Sequence, residues 1–185
     1  MTPPLETPRL FLVPVTLADA EQIQRIFPQW EIVKYLGIVV PWPYPPDGAL
    51  TFLRDQLLPG IERGDRWGWT LRLKSAPDEI IGSITQQRDK ENNRGFWIAP
   101  EHQRQGLMTE ASETATDFWF NKLKMPVLRV PKAIPNTGSR RISQKQGMRM
   151  VRTEERDFVS GRYPAEIWEI TAEEWNEMHP LATHS

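Results

Sequence analysis

Cysteine is missing from the 185 residues, histidine occurs three times, and no stretch approaches 18 consecutive apolar residues. Without thiols there is no disulfide framework, no thiolate nucleophile and no thiolate metal ligand. Two of the histidines, His179 and His184, lie in the tail, so an imidazole-built centre has too few ligands and no metal is expected. The missing apolar run argues against a membrane span, and residues 1–6 lack the basic-then-apolar layout of an export signal; a cytoplasmic protein that does not engage a membrane is expected. Positive charge is not in excess either. With 23 Lys and Arg against 24 Asp and Glu, nucleic acid is not expected as a partner, although a local basic patch remains open. What the chain does have is eight tryptophans and seventeen prolines, gathered around loops where a ligand could be gripped or a core closed. The length suits one domain, 1–185, with residues 1–6 and 178–185 peripheral.

Residues 9–15 form an apolar run of strand length, and Thr16 with Asp19 is a capping-box-like start for a helix through Ile26 or Phe27. The prolines at 41, 43, 45 and 46 make residues 38–46 a stiff aromatic loop. Ala49, Phe52, Leu53 and Leu57 recur at helical spacing until Pro59-Gly60, where the helix is expected to stop. Trp67, Trp69, Leu71 and Leu73 alternate with Gly68, Thr70, Arg72 and Lys74, the signature of a half-buried strand. Residues 75–78 turn the chain into a hairpin partner at 80–85, and after a polar loop residues 94–99 give a third antiparallel strand. Residues 127–135 read as a strand despite Pro131 and Pro135, which a central position should not tolerate. A short helix opened by Asn136 closes on Gly147, and 149–158 with 163–170 make a hairpin around Ser160-Gly161. Residues 181–185 are expected to fray.

Between the third strand and the next helix lies Glu101-His102-Gln103-Arg104-Gln105-Gly106-Leu107-Met108-Thr109-Glu110-Ala111. A helix starting near Leu107 leaves its first N–H groups without intrahelical partners. Its dipole adds about 0.3–1 kcal/mol of attraction for an exposed anion. Gly106 removes the Cβ that would keep a bulky anion away. A plain structural turn would have the same outline, and there is no G-K-[ST], so it is not a P-loop. The wording is more specific: Gln103-x-x-Gly106-x-Met108 resembles the Q/R-x-x-G-x-G/A pyrophosphate loop of the GCN5-related N-acetyltransferases, with Met108 departing from it. Gly106 through Ala111 is similar to the branch that acetylates ribosomal-protein N-termini. Asn136-x-x-Ser139 through Gly147-Met148 resembles that branch's N-x-x-S…G-F segment, and Thr7-Pro8-Arg9-Leu10, the Pro-Trp-Pro-Tyr loop, Gly95-Phe96-Trp97-Ile98 and Glu173-Glu174-Trp175 follow in its order.

The resemblance implies the α/β (α+β) acyl-CoA N-acyltransferase fold: a mixed, mostly antiparallel sheet flanked by helices, whose central parallel strands splay so that the pantetheine arm lies in the wedge, where Pro131 costs little. It implies acetyl-CoA as cosubstrate, held by Trp97, Ile98, Ala99, Gln103, Arg104, Gln105, Gly106, Leu107, Met108, Thr109 and Asn136, and direct attack by an amine in a ternary complex. A homodimer is compatible with it. Acetyl transfer needs a neutral nucleophile, stabilisation of an oxyanion and a proton for the departing thiolate. For the oxyanion, the family points to the N–H of Ile98 or Ala99. For the proton it points to Ser139, or to Ser143, which stands where the wider superfamily has a Tyr; the two are i, i+4 and share a helix face. Both serines could equally be capping or surface residues, and Asn136 a bare N-cap. Asn93 stands where the branch often has Glu, which leaves Asp89, Glu91 and His102 as nearby base candidates. An α-amine, with a reference pKa near 8, has less need of a base than a lysine near 10.4. Trp30, Trp42 and Tyr44 could line the acceptor side or pack in the core. An acyl-CoA-binding sensor without turnover, and a protein that cradles another diphosphate, remain alternatives.

Overall fold

In the computed structural model, which describes residues 1–180, the first half of the chain forms a five-stranded antiparallel sheet in sequence order. Its strands are β1 (Leu5–Glu6), β2 (Leu10–Pro14), β3 (Arg66–Leu73), β4 (Gly82–Gln87) and β5 (Arg94–Ile98). Between β2 and β3 run α1 (Ala20–Ile26), α2 (Trp30–Val33), α3 (Gly48–Phe52) and α4 (Leu58–Arg63). After β5 come α5 (Leu107–Asp117), β6 (Val127–Ala133), α6 (Thr137–Lys145), β7 (Arg149–Phe158), β8 (Gly161–Thr171) and α7 (Ala172–Met178). The last three strands form a second sheet in the order β6-β8-β7, also antiparallel. The fraying expected at 181–185 lies outside the described residues.

Most local signals act as the residues suggest. The Asp19 carboxylate accepts from the Thr16 N–H at 2.8 Å and opens the way into α1. Trp69 pairs with Ile84 in the β3–β4 hairpin. Two expectations need correction. The helix begun at Gly48 does not stop at Pro59-Gly60: a π turn (Leu53–Leu57) joins α3 to α4, and the helix ends at Gly64, whose φ is 77°. At the end of that turn Leu58 donates to the Leu53 carbonyl, a five-residue step. The wider turn makes room for the Pro59 ring, which would otherwise clash with the carbonyl four residues back. Nor is β3 half-buried. It is the sheet's middle strand with helices on both faces, and Gly68 and Thr70 are buried along with Trp67, Trp69 and Leu71. A Cβ at Gly68 would come within 3.1 Å of Leu57 and 3.2 Å of Val15, so glycine lets the helical side seat closely.

One core packs Leu10, Leu12, Trp69, Leu71 and Ile84 against Ala111, Ala115 and Phe118 and continues without a break to Leu128, Val130, Trp168 and Ile170 of the second sheet. That shared core holds the sheets side by side while leaving their facing edges free. β5 and β6 meet at one place, where the Asn93 N–H donates to the Arg129 carbonyl and the Arg129 N–H to Asn93 Oδ1, both at 2.8 Å. Three residues further along each strand, the Lys132 ammonium stands 4.5 Å from the centre of the Phe96 ring, so the two run in the same direction. The parallel pairing expected in the middle of one mixed sheet is thus reduced to a single side-chain-assisted contact, and beyond it the strands diverge.

Candidate active site

The diverging strands open into a cleft of about 880 Å³, lined by β5, by residues 102–109 without Gln105, and by the β6–α6 connection. Hydrogen-bond parity shows what its walls offer. Ala99 donates to Ile81 and Gln87 to the Asn93 carbonyl, so in this antiparallel register the odd residues of β5 bond to β4. The N–H and C=O groups of Phe96 and the N–H of Ile98 therefore face the cleft, forming an unpaired strand edge. Across from it, Arg129 and Pro131 carry their backbone toward the same side. At Pro131 the N–H that proline lacks would have pointed into the gap, so no ladder bond is lost and the strand tolerates it.

The turn before α5 supplies the second donor surface. Arg104 has φ 60° and Gly106 φ 75°, and such sign changes point successive N–H groups into one concavity. Among the described residues, no N–H from 104 to 109 has a protein acceptor; the next one, of Glu110, bonds the Gly106 carbonyl at 3.1 Å. The N-terminal segment holds this turn in place. Glu110 accepts from the Thr7 hydroxyl and, at 2.8 Å each, from the Arg9 N–H and Nε, while Arg9 Nη1 donates to the Gln105 carbonyl at 2.9 Å. Residues 7–10 and the helix start, 100 positions apart in sequence, thus form one clamp. Gln103 lines the cleft and ties its Nε2 to the Ile98 carbonyl at 3.2 Å.

On the other wall, Asn136 caps α6 by accepting from the Ser139 N–H at 3.3 Å, which leaves its amide Nδ2 without a protein acceptor among the described residues. Asn136 and Ser139 both line the cleft. Ser143 does not: one turn further on it is fully buried, and its hydroxyl has no partner among the described residues. Sharing a helix face with Ser139 places it beneath the cleft rather than in it. The Ala99 N–H is likewise spent on Ile81, leaving Ile98 as the donor that faces the cleft. Trp97, Leu107, Met108 and Thr109 line the cleft, whereas Gln105 turns its amide to the Glu101 carbonyl.

The base candidates separate clearly. Asn93 has every group engaged: besides its bonds to Arg129, its Nδ2 donates to the carbonyls of Gln87 and Asp89. It rivets the strands and is not a reacting group. Asp89 holds its own loop by accepting from the N–H groups of Glu91 and Asn92, and Glu91 pairs with Arg152; neither lines the cleft. His102 does line it. Trp30, Trp42 and Tyr44 do not: Tyr44 packs edge-on against Phe27, with burial pushing its hydroxyl up to about 12, and Trp30 packs against Trp42 at a tilt of 49° at the surface.

Several lining residues carried no sequence signal. Glu31 of α2 and Asp157 of β7 reach the cleft, paired with Lys34 and Arg162. Arg94 and Lys132 reach it too, although each is more than nine-tenths buried. Seven Lys and Arg line the cleft against those two acids, so a chain of net charge −1 concentrates positive potential where the N–H donors gather.

A model of the acetyltransferase (GNAT) domain matches residues 9–149. The chain belongs to the GNAT acetyltransferase family. The uncharacterized N-acetyltransferase YoaA of Bacillus subtilis is 30% identical over 152 residues, covering 80% of this chain and 83% of YoaA. Among solved structures, ribosomal-protein-S5-alanine acetyltransferase from Vibrio fischeri superposes with a TM-score of 0.79 at 15% identity, over 94% of this chain and 98% of that one. RimJ of Mycobacterium smegmatis in complex with CoA-disulfide gives 0.76 at 20% identity, over 93% and 87%. The GNAT fold and an N-acetyltransferase activity follow from family membership.

Proposed function

We propose that this GNAT protein transfers an acetyl group from acetyl-CoA to a primary amine, either a protein N-terminal α-amine or a small-molecule amine, by direct attack in a ternary complex. The observation that carries this reading is the run of unaccepted N–H groups at 104–109 leading onto the unpaired edge of β5. Diphosphate suits the first: it is anionic, and the N-terminus of α5 and the surrounding cations favour it. An amide-bearing arm suits the second, because an added strand satisfies an open edge. The cleft sits between them.

In this reading the neutral amine attacks the thioester carbonyl carbon, a C–N bond forms, and charge gathers on the carbonyl oxygen within reach of the Ile98 N–H. As the C–S bond breaks, Ser139 Oγ donates its proton to sulfur, and the proton shed by the new amide nitrogen restores the balance. Asn136 Nδ2 is free to hold a carbonyl of the arm. The two carboxylates that line the cleft are engaged, Glu31 with Lys34 and Asp157 with Arg162, and neither stands at the position of Asn93, which favours acceptors already partly neutral near pH 8. The relatives named for ribosomal proteins make peptide N-termini the first acceptors to test.

The test is thiol release from acetyl-CoA over a panel of N-terminal peptides, polyamines, aminoglycosides and amino acids. An active amine is expected to raise release well above hydrolysis, and Ser139→Ala to lower kcat about 100-fold or more while changing KM for acetyl-CoA little. The full engagement of Asn93 in strand pairing supports a second reading, a protein that binds acyl-CoA without turnover. Tight acetyl-CoA binding with no active amine would select it.

A further inference from the structure

Where β5 and β6 begin to part, two basic side chains lie in the cleft wall without a carboxylate partner among the described residues. Arg94 is 2% exposed and Lys132 7%. Arg94 Nη1 donates to Thr116 Oγ1 and Gln146 Oε1, both at 2.9 Å, while its Nε and Nη2 are buried without a partner among the described residues. The Lys132 ammonium has no ion pair among the described residues and rests on the Phe96 ring, with the Arg94 guanidinium 5.6 Å from the same ring. Glu166 stands directly opposite Lys132 in the β6–β8 register, but its carboxylate is held by both arms of the Arg140 fork and by the Trp168 indole. Buried cations are normally paired, because taking a charge out of water without a partner is costly. Burial and the neighbouring Arg94 hold the Lys132 amine well below its usual range, and burial lowers Arg94 to about 10. A site this unfavourable when empty gains most from an arriving anion.

The place of the pair says which part of a ligand could supply that anion. A tail entering past Gly106 and pairing with the edge of β5 has its reactive end near Ile98. Phe96 lies two residues further in, about 7 Å along the strand, and Arg94 and Lys132 flank it. A two-carbon acyl group held at Ile98 stops short of them, and a four-carbon one closes most of the gap. We infer that the wedge accepts CoA thioesters of short dicarboxylic acids, the terminal carboxylate docking between Lys132 and Arg94. This deepens the acyl-CoA reading above and rests on it. The transfer is unchanged: C–N forms, C–S breaks, the sulfur takes a proton, and the distal carboxylate remains a spectator.

The experiment is calorimetric titration of the full chain with CoA, acetyl-CoA, butyryl-CoA and succinyl-CoA, the last two matched in chain length. Succinyl-CoA is expected to bind about 10- to 100-fold tighter than butyryl-CoA, as charge-assisted hydrogen bonds allow. In Lys132→Met that ratio falls toward one, and in Lys132→Arg it is kept. Binding of the succinyl thioester also takes up a proton, read from the enthalpy in buffers of different ionisation heat. From the elements packed around it, Lys132 faces Arg94 of β5 and Glu166 of β8, while Arg141 and Lys145 of α6 lie exposed at the rim. If butyryl- and acetyl-CoA bind and succinyl-CoA is not preferred by the wild type, the inference is overturned and the acyl-CoA reading stands. If neither CoA nor any thioester binds, that reading falls first. A ratio unchanged in a Lys132→Met protein that still melts cooperatively also overturns the inference.

Discussion

At the Gly106 end of the cleft the donors are backbone N–H groups of residues 104–109, held in place by the clamp of Thr7, Arg9 and Glu110, whereas at the Asn93 end the surface is made by side chains from β5, β6, α5 and the end of α6. The first end needs positive φ at Arg104 and Gly106 and a helix start, all within six consecutive residues. The second needs Asn93, Arg94, Phe96, Arg129 and Lys132 brought into register by two sheets that hardly pair. In the proposed reading, the backbone-built end takes the part that all CoA thioesters share. A side-chain-built end is where relatives of one fold can come to differ in acyl group, because substitutions there leave the donors at the other end intact.

The contrast breaks most visibly at Asn93. Asn93→Ala removes the acceptor of the Arg129 N–H and both side-chain donors at the point where the sheets meet. With buried groups left unpaired, the cost is expected to be about 3 kcal/mol, a fall in Tm of about 6–12 °C for a chain of this size. Asn93→Glu, which restores the residue common in the resembled branch, is expected to destabilise as well and to leave kcat no higher, since a carboxylate cannot donate to the carbonyls of Gln87 and Asp89. A gain in kcat would show that the position can serve chemistry and would undo its assignment as a rivet.

Gly106→Ala probes the other end. Holding alanine at φ 75° costs about 1–2 kcal/mol, and the turn is expected to relax rather than the protein to unfold. Acetyl-CoA affinity should drop about 5- to 30-fold with Tm nearly unchanged, the reverse of the Asn93 pattern. Loss of Tm without loss of affinity would mean that the turn is a structural joint and not a receptor.

The same division explains what the residues disclosed in advance. The cradle, the Asn136 cap and the β3–β4 hairpin are short-range, so their spacing was enough to read them. Pro59 misled because a π turn is invisible to helical periodicity, and Ser143 because a shared helix face fixes direction but not depth. Burial on both faces of β3 could be read only once its neighbours were known. Lys132 looked like any strand lysine; its isolation comes from Glu166 being taken by Arg140, a fact of three separate elements. Arg9 and Glu110 were each visible in a motif, and nothing in the order of residues joined them.

That joint between Arg9, Thr7 and Glu110 gives the smallest expected effect and the sharpest check on how the cradle is held. Burial pushes the Glu110 carboxyl up, but the hydrogen bonds from Thr7 and from the Arg9 backbone and side chain outweigh it, so its pKa lies below the ordinary 4.5. A carboxylate depressed in the folded state adds stability that is fully present above the unfolded value and is lost as pH falls through the folded one. With Arg9 about half exposed, the contribution is expected to be about 1 kcal/mol or less. Glu110→Gln should therefore lower Tm by a few degrees at neutral pH, and the gap between wild type and variant should close below pH 4.5. Acetyl-CoA affinity should fall with the clamp, because Arg9 Nη1 then loses the neighbour that aims it at the Gln105 carbonyl. A gap in Tm that persists unchanged into acid would show that the neutral hydrogen bonds, and not the charge, fix the cradle to the N-terminal segment.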